Sequence, residues 1–343
     1  MTQRYKGFAS DNCSGVHPQV MAALGACNAG YVLSYGDDPY TKRAEEIFAE
    51  TFGEDSATYF VYNGTGANTL GLGTVLRSYQ AIITPAMAHI AVDETGAPEQ
   101  YIGCKIIGID CKGGKLTPQH IAPQLEILGV MHHSQPAVIS ITNPTEVGTI
   151  YTLEELTTLC DYAHEHDLLV HMDGARIANA AVTLGCTLRA MTRDCGVDIL
   201  SFGGTKNGLM FGEAVVFMDK RMGESFPFVR KNGTQLHSKM RYITAQYVEY
   251  LGTDLWRQNA EHANRMARRL AKSFEAIDGI DFVYPVEGNG LFVTLSEDVQ
   301  RRLEAKYEFY SMDVEGGQKA FRFMCSFDTE ESEVDKLIQA AHR

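Results

Sequence analysis

Six short runs rich in β-branched and aromatic residues alternate along the chain with segments of helical periodicity, and that alternation limits the fold more than any other feature. The runs are ATYFVYN (57–63), AIITP (81–85), PAVISITN (136–143), LLVHMDG (168–174), DILSFGG (198–204) and EAVVFMD (213–219). Strands separated by helices predict a mostly parallel sheet, because parallel neighbours need a crossover. After Thr152, a capping box with Glu155 opens a helix whose stripe is Leu153, Leu156, Cys160 and Ala163. PYTKRAEEIFAETFG turns Ala44, Ile47, Phe48 and Phe52 to one face and stops at Gly53. A three-layer α/β domain follows, with its ligand beyond the carboxyl ends of the strands. From about Thr253 the pattern becomes a long helix burying Leu255, Ala263, Met266, Leu270 and Phe274, then the strand-like FVTLS and FRFMCSF. This predicts a large domain over 1–247 and a smaller C-terminal α+β domain over 248–343.

The 343 residues, 45% of them hydrophobic, suffice for a large core. Forty-three acidic against 30 basic residues leave a formal charge of −13, and no Lys/Arg block forms a footprint for nucleic acid. The first residues, MTQRYKGFASDNCSG, lack an apolar core segment, and no run approaches the ~18 apolar residues of a membrane span. A soluble cytoplasmic protein is expected. Eight cysteines stand singly without a CxxC pair, which argues for reduced thiols and against a metal knuckle.

Lys206 lies in VDILSFGGTKNG, just past one strand-like run, and Asp173 ends another. An amine for a Schiff base and a carboxylate for a pyridinium nitrogen are what pyridoxal phosphate (PLP) requires. The small, apolar neighbours of Lys206 favour a desolvated, more nucleophilic amine. Asp173 read by itself is first a helix N-cap, and Arg176 is either a surface ion-pair partner or a bidentate donor to a carboxylate in the site. In NGTGAN (63–68), the amides of Gly64, Thr65 and Gly66 can cradle a phosphate at a helix start, although such a turn also serves packing alone. The loop is neither GxGxxG nor a P-loop, which argues against dinucleotides and nucleoside triphosphates.

Taken in order, FASDN, SYGDDPYT, NGTGAN, AHIAVDETGAPE, PTEVGTIY, DGAR, GGTKNG and FRFMCSF resemble the threonine aldolases of the β-eliminating lyase group, within the aspartate-aminotransferase-like (type I) PLP fold. The resemblance implies that Lys206 carries the cofactor, Asp173 pairs with the pyridinium, and Gly64 and Thr65 hold the phosphate. It implies that His89 stacks on the ring near the substrate hydroxyl, and that Ser10, Arg176 and Arg322 grip the substrate carboxylate. Arg322 sits in an apolar strand, where an unpaired guanidinium is costly. Family members build the site at a dimer interface, which brings in Tyr35, Arg230 and Lys231 and suggests a homodimer or homotetramer. Two segments depart from the family pattern. NPTEVG places Glu146 where many members carry a histidine, so the base is His89, Glu146 or a water, and RKNGTQLHSKMR replaces a glycine-rich stretch.

The implied reaction cleaves L-threonine or L-allo-threonine, and longer substrates such as phenylserine, to glycine and an aldehyde. A β-eliminating lyase or aminotransferase differs from this in its products. A PLP-binding protein without turnover would be expected to lack the lysine or its acidic partner, and both are here.

Overall fold

Each of the six apolar runs forms a strand, and together they build most of one sheet. In the computed structural model, which describes residues 7–314 and 317–342, seven strands join in the order β1-β7-β6-β5-β4-β2-β3. They are β1 (Ala57–Val61), β2 (Gln80–Pro85), β3 (Lys105–Ile109), β4 (Gln135–Thr142), β5 (Leu169–Gly174), β6 (Ile199–Phe202) and β7 (Glu213–Phe217). Strands β2 to β6 pair in parallel, while β7 runs antiparallel to both β1 and β6. The strand outside the six runs, β3, is an edge strand and only partly buried.

Local chemistry explains the helix limits. Asp38 accepts the Thr41 amide at 2.9 Å to open the helix Pro39–Phe52, and Gly53, at φ 113°, ends it where a side chain would be strained. Thr152 and Glu155 form the expected capping box on Leu153–Glu165. Phe48 sits among Phe60, Phe202 and Tyr247, each edge-on with centroids 5.4 Å away. This cluster clamps β1 and β6 to the helices beside them.

A second, antiparallel sheet has the order β10-β11-β9-β8. Its strands are β8 (Ile280–Phe282), β9 (Gly290–Leu295), β10 (Tyr310–Val314) and β11 (Gln318–Met324). The helix Leu255–Phe274 serves both cores: Leu255, Trp256 and Ala260 pack with the large sheet, and Met266, Leu270 and Phe274 with the small one. Phe8 packs with the small sheet too, so the amino-terminal arm crosses between the two. Among the described residues no helix is long and apolar enough to span a membrane, and no cluster could hold a metal.

Truncating Phe48 to alanine opens a cavity inside the aromatic cluster, and about 3–5 kcal/mol of stability is expected to be lost. A lowered urea midpoint with unchanged slope would record it; an unmoved midpoint would mean that the cluster repacks.

Candidate active site

Parallel strands deliver their following loops to one edge of the sheet. Asn63–Gly66 follow β1, His89 follows β2, Glu146 follows β4, Asp173 to Arg176 end β5 and leave it, and Lys206 lies four residues beyond β6. Glu213 reaches the same edge because β7 runs the opposite way and starts there. These loops enclose a cavity of about 430 Å³, within the range of small-molecule sites.

Lys206 is partly buried on a tight turn. A Cβ on Gly203 would lie 2.5 Å from the Ala175 backbone, so glycine is what lets the turn approach β5. Nearby Arg176 and then burial push the Lys206 amine below its ordinary range, the direction that frees its lone pair.

Asp173 is buried, with one oxygen accepting the Ala175 amide at 2.9 Å and the other the Asn68 Nδ2–H at 2.8 Å. Asn68 Nδ2 also donates to Oε1 of buried Glu94 at 2.8 Å, and that oxygen lies 2.8 Å from Nδ1 of His89. The hydrogen bond to Glu94 raises the His89 pKa. Beneath the site, His171 bridges Ser140 and Ser201 at 2.8 and 3.0 Å, and burial pushes its pKa down to about 4, leaving a neutral ring at physiological pH.

Arg176 gives its two-pronged contact to a residue of the chain itself. Its Nε and Nη2 donate to the Asp11 carboxylate at 2.6 and 2.8 Å. Burial disfavours the charge on Asp11, but Arg176 outweighs it and holds the carboxyl below its usual range. The bidentate face expected to meet a substrate carboxylate is therefore occupied, and Nη1 remains for a ligand. Ser10 caps the turn Asp11–Cys13 by accepting the Asn12 amide at 3.2 Å. Arg322 lines a smaller cavity shared with Arg176 and Glu146; its Nη2 donates to the Ala9 carbonyl at 3.1 Å, its charge lies over the Tyr310 ring, and its Nε is buried without a partner. Burial, then Arg176, lowers its pKa.

Glu146 accepts the Thr142 hydroxyl at 2.7 Å and the His89 amide at 3.0 Å through Oε1, while Oε2 is buried and unpartnered. Burial raises its pKa. In NGTGAN, the Gly66 amide is taken by the Asn63 side chain at 2.8 Å, so Gly66 is an internal cap donor beside Gly64 and Thr65, whose residues line the cavity. A Cβ at Gly66 would meet the side-chain amide of Gln235 and displace it. Gln235, from the segment that replaces the glycine-rich stretch, accepts the Tyr62 amide at 2.9 Å. Within one chain, Arg230 bonds the Phe60 carbonyl at 3.0 Å and Lys231 lies over Tyr35, both outside the main cavity.

The groups suit PLP: an amine and a buried carboxylate at one cavity, helix-start amides for an anion, and buried atoms at Asn68 Oδ1, Glu94 Oε2 and Glu146 Oε2 without partners among the described residues. Asp11, Asn68, Glu94 and Glu213 belong to the site although the sequence reading passed over them. The first three lie inside quoted motifs, and Glu213 is a lone charge opening an apolar strand.

Comparison with known proteins agrees. The chain is 41% identical to a low specificity L-threonine aldolase from a Pseudomonas species, over 98% of this chain and 97% of the relative, and 41% identical to that of Pseudomonas aeruginosa over 99% and 98%. A solved Leishmania major threonine aldolase superposes with a TM-score of 0.91 at 29% identity, covering 97% of this chain and 98% of the other. The fold is that of type I PLP enzymes, and proteins of this kind depend on PLP. The family model described as β-eliminating lyase matches residues 7–298, and the chain belongs to that family.

Proposed function

We propose that the chain is a PLP-dependent aldehyde-lyase that cleaves L-threonine and L-allo-threonine, and longer β-hydroxy-α-amino acids such as phenylserine, to glycine and an aldehyde. The observation that carries this reading is the meeting of Lys206, Asp173 and the His89–Glu94 pair at one cavity. Bound PLP supplies an electron sink for the Cα–Cβ bond that breaks. Lys206 is the residue that holds it covalently, and its depressed pKa supports that role. Asp173, kept in place by Asn68 and the Ala175 amide, would pair with the ring nitrogen of PLP. Gly64 and Thr65 would hold the PLP phosphate through their amides at the helix start.

The substrate carboxylate meets Arg322 and the remaining edge of Arg176, with Ser10 beside them. Fixing that carboxylate orients the Cα–Cβ bond for cleavage. Either His89, with Glu94 on its Nδ1, or Glu146, whose Oε2 has no partner, takes the β-hydroxyl proton. Exposed Tyr31, Leu33, Tyr35 and Phe228 support a homodimer or homotetramer, with Tyr35, Arg230 and Lys231 near the neighbouring subunit's site. Eight cysteines placed singly along the sequence, without a CxxC pair, support a cytoplasmic location.

The direct test is formation of acetaldehyde and glycine from L-threonine with and without added PLP; pyruvate or another keto acid instead would overturn the assignment. Lys206→Ala is expected to abolish covalent cofactor attachment and nearly all turnover, and borohydride reduction of the wild type should label Lys206 and no other lysine.

Arg322→Leu removes a charge-assisted contact to a fixed anion while suiting an apolar strand. A loss of about 2–4 kcal/mol in kcat/KM is expected with the fold retained. Unchanged kcat/KM with cofactor bound would remove Arg322 from the site.

Glu146→Gln separates the two bases. If Glu146 handles the hydroxyl proton, cleavage slows by about 10²-fold or more while Cα-proton exchange on glycine, which involves no hydroxyl, changes far less. Equal losses would point to disturbed cofactor geometry through the hydrogen bond that the His89 amide donates to Glu146, and no loss in either would leave the proton to His89.

A further inference from the structure

Glu213 is a buried carboxylate that none of the roles above uses. It opens β7, pairs with Val61 on the neighbouring strand, is 9% exposed and lines the main cavity. Its Oε2 accepts the Gly204 amide at 3.0 Å, and the Thr205 hydroxyl also bonds its carboxylate. Both donors belong to the turn that presents Lys206. That turn has little freedom elsewhere, because Gly203 abuts the Ala175 backbone and Gly204 abuts Leu209.

The other carboxylates that act on Lys206 are already engaged. Asp11 is committed to Arg176 and Asn289, and Asp173 to Asn68 and the Ala175 amide. Among the described residues no carboxylate forms an ion pair with the Lys206 amine. Glu213 is thus the acid whose hydrogen bonds all run to the lysine's own turn. We propose that Glu213 is the positioning residue of Lys206: it anchors the turn through Gly204 and Thr205, and its charge sets the pH at which the Lys206 nitrogen gives up its proton. This rests on the reading that Lys206 holds the cofactor.

The groups facing Glu213 are Lys206 and Thr205 on the turn, Asp173 on β5, and Tyr247 and Tyr250 on the helix Arg241–Gly252. Burial first, with Asp173 adding to it, lifts the Glu213 pKa to about 7, whereas Arg176 and burial move Lys206 downward. Groups displaced toward one another in this way are coupled, so the charge on one acts on the protonation of the other. Ionised Glu213 favours the protonated nitrogen, so removing its charge must lower the pH at which that nitrogen deprotonates.

The test is a pH titration of the visible absorption of the PLP-loaded enzyme, wild type against Glu213→Gln, which keeps an acceptor for Gly204 but carries no charge. The midpoint is expected to fall by about one pH unit, and by less in Glu213→Asp, whose charge is withdrawn by one methylene. A merely structural role would lower cofactor content without moving the midpoint, and an unmoved midpoint in Glu213→Gln overturns the proposal. Should that variant not fold, Glu213→Asp decides by the same criterion. Borohydride labelling of the wild type separates the two readings: a label on another lysine overturns the Lys206 assignment and the proposal with it, whereas a label on Lys206 with an unmoved midpoint overturns the role of Glu213 alone.

Discussion

Asp11 and Arg176 form a two-pronged ion pair inside the protein, and three separate parts of the chain meet on it. Asp11 comes from the amino-terminal arm, Arg176 from the loop after β5, and Asn289, which also donates to Asp11 at 3.1 Å, from the entrance to β9 in the small sheet. Breaking a buried pair of this kind by removing one partner typically costs about 3–5 kcal/mol, because the remaining charge is left uncompensated. The arm therefore cannot leave without exposing Arg176, and the small sheet is tied to the large one at the place where Arg322 approaches the cavity. Site geometry and the joining of the two sheets rest on one interaction.

The same guanidinium organises the charges around it. It is the largest influence lowering the Lys206 pKa and the second, after burial, on Arg322. Two arginines and a lysine so close together would be unfavourable without Asp11, Asp173, Glu146 and Glu213 among them. The surplus positive charge on the Arg322 side, with its unpartnered Nε, suits an incoming carboxylate, and the buried oxygens of Glu94 and Glu146 suit proton donors. The main cavity and the smaller one beside it thus differ in electrostatic character, which suits a zwitterionic substrate with a β-hydroxyl.

Most of this was legible where chemistry and periodicity coincide. Buried parallel strands must be apolar throughout, so β4, β5 and β6 are plain in the sequence, and their carboxyl ends carry Glu146, Asp173 and Lys206. The edge strand β3 alternates partly exposed positions and carries Gly108, so its signal is weaker. Side-chain direction was not legible. Arg176 has the right spacing to reach a ligand, but only the folded arm reveals that Asp11 occupies its fork, and Gly66 stands in a phosphate-like loop whose third amide is spent on Asn63. Glu213 was within reach of the argument made for Arg322, since a lone charge in EAVVFM also needs partners; its partners lie on the Lys206 turn, and that pairing exists only across the sheet edge.

Asn68 decides how the protons of the site are arranged. Its side-chain nitrogen stands between Oδ2 of Asp173 and Oε1 of Glu94, each 2.8 Å away, and only an NH₂ group can satisfy two carboxylate acceptors; the flipped amide would set an oxygen against both. The carbonyl Oδ1 must then point elsewhere, and it is buried without a partner among the described residues. With Glu94 held as an acceptor, Nδ1 of His89 has to be the nitrogen that carries hydrogen, which leaves the lone pair of the neutral ring on Nε2. The residue that orients the Asp173 carboxylate thereby also fixes the tautomer of His89. A substitution at Asn68 would disturb both ends of the chain at once, although Asn68 itself neither gains nor loses a proton.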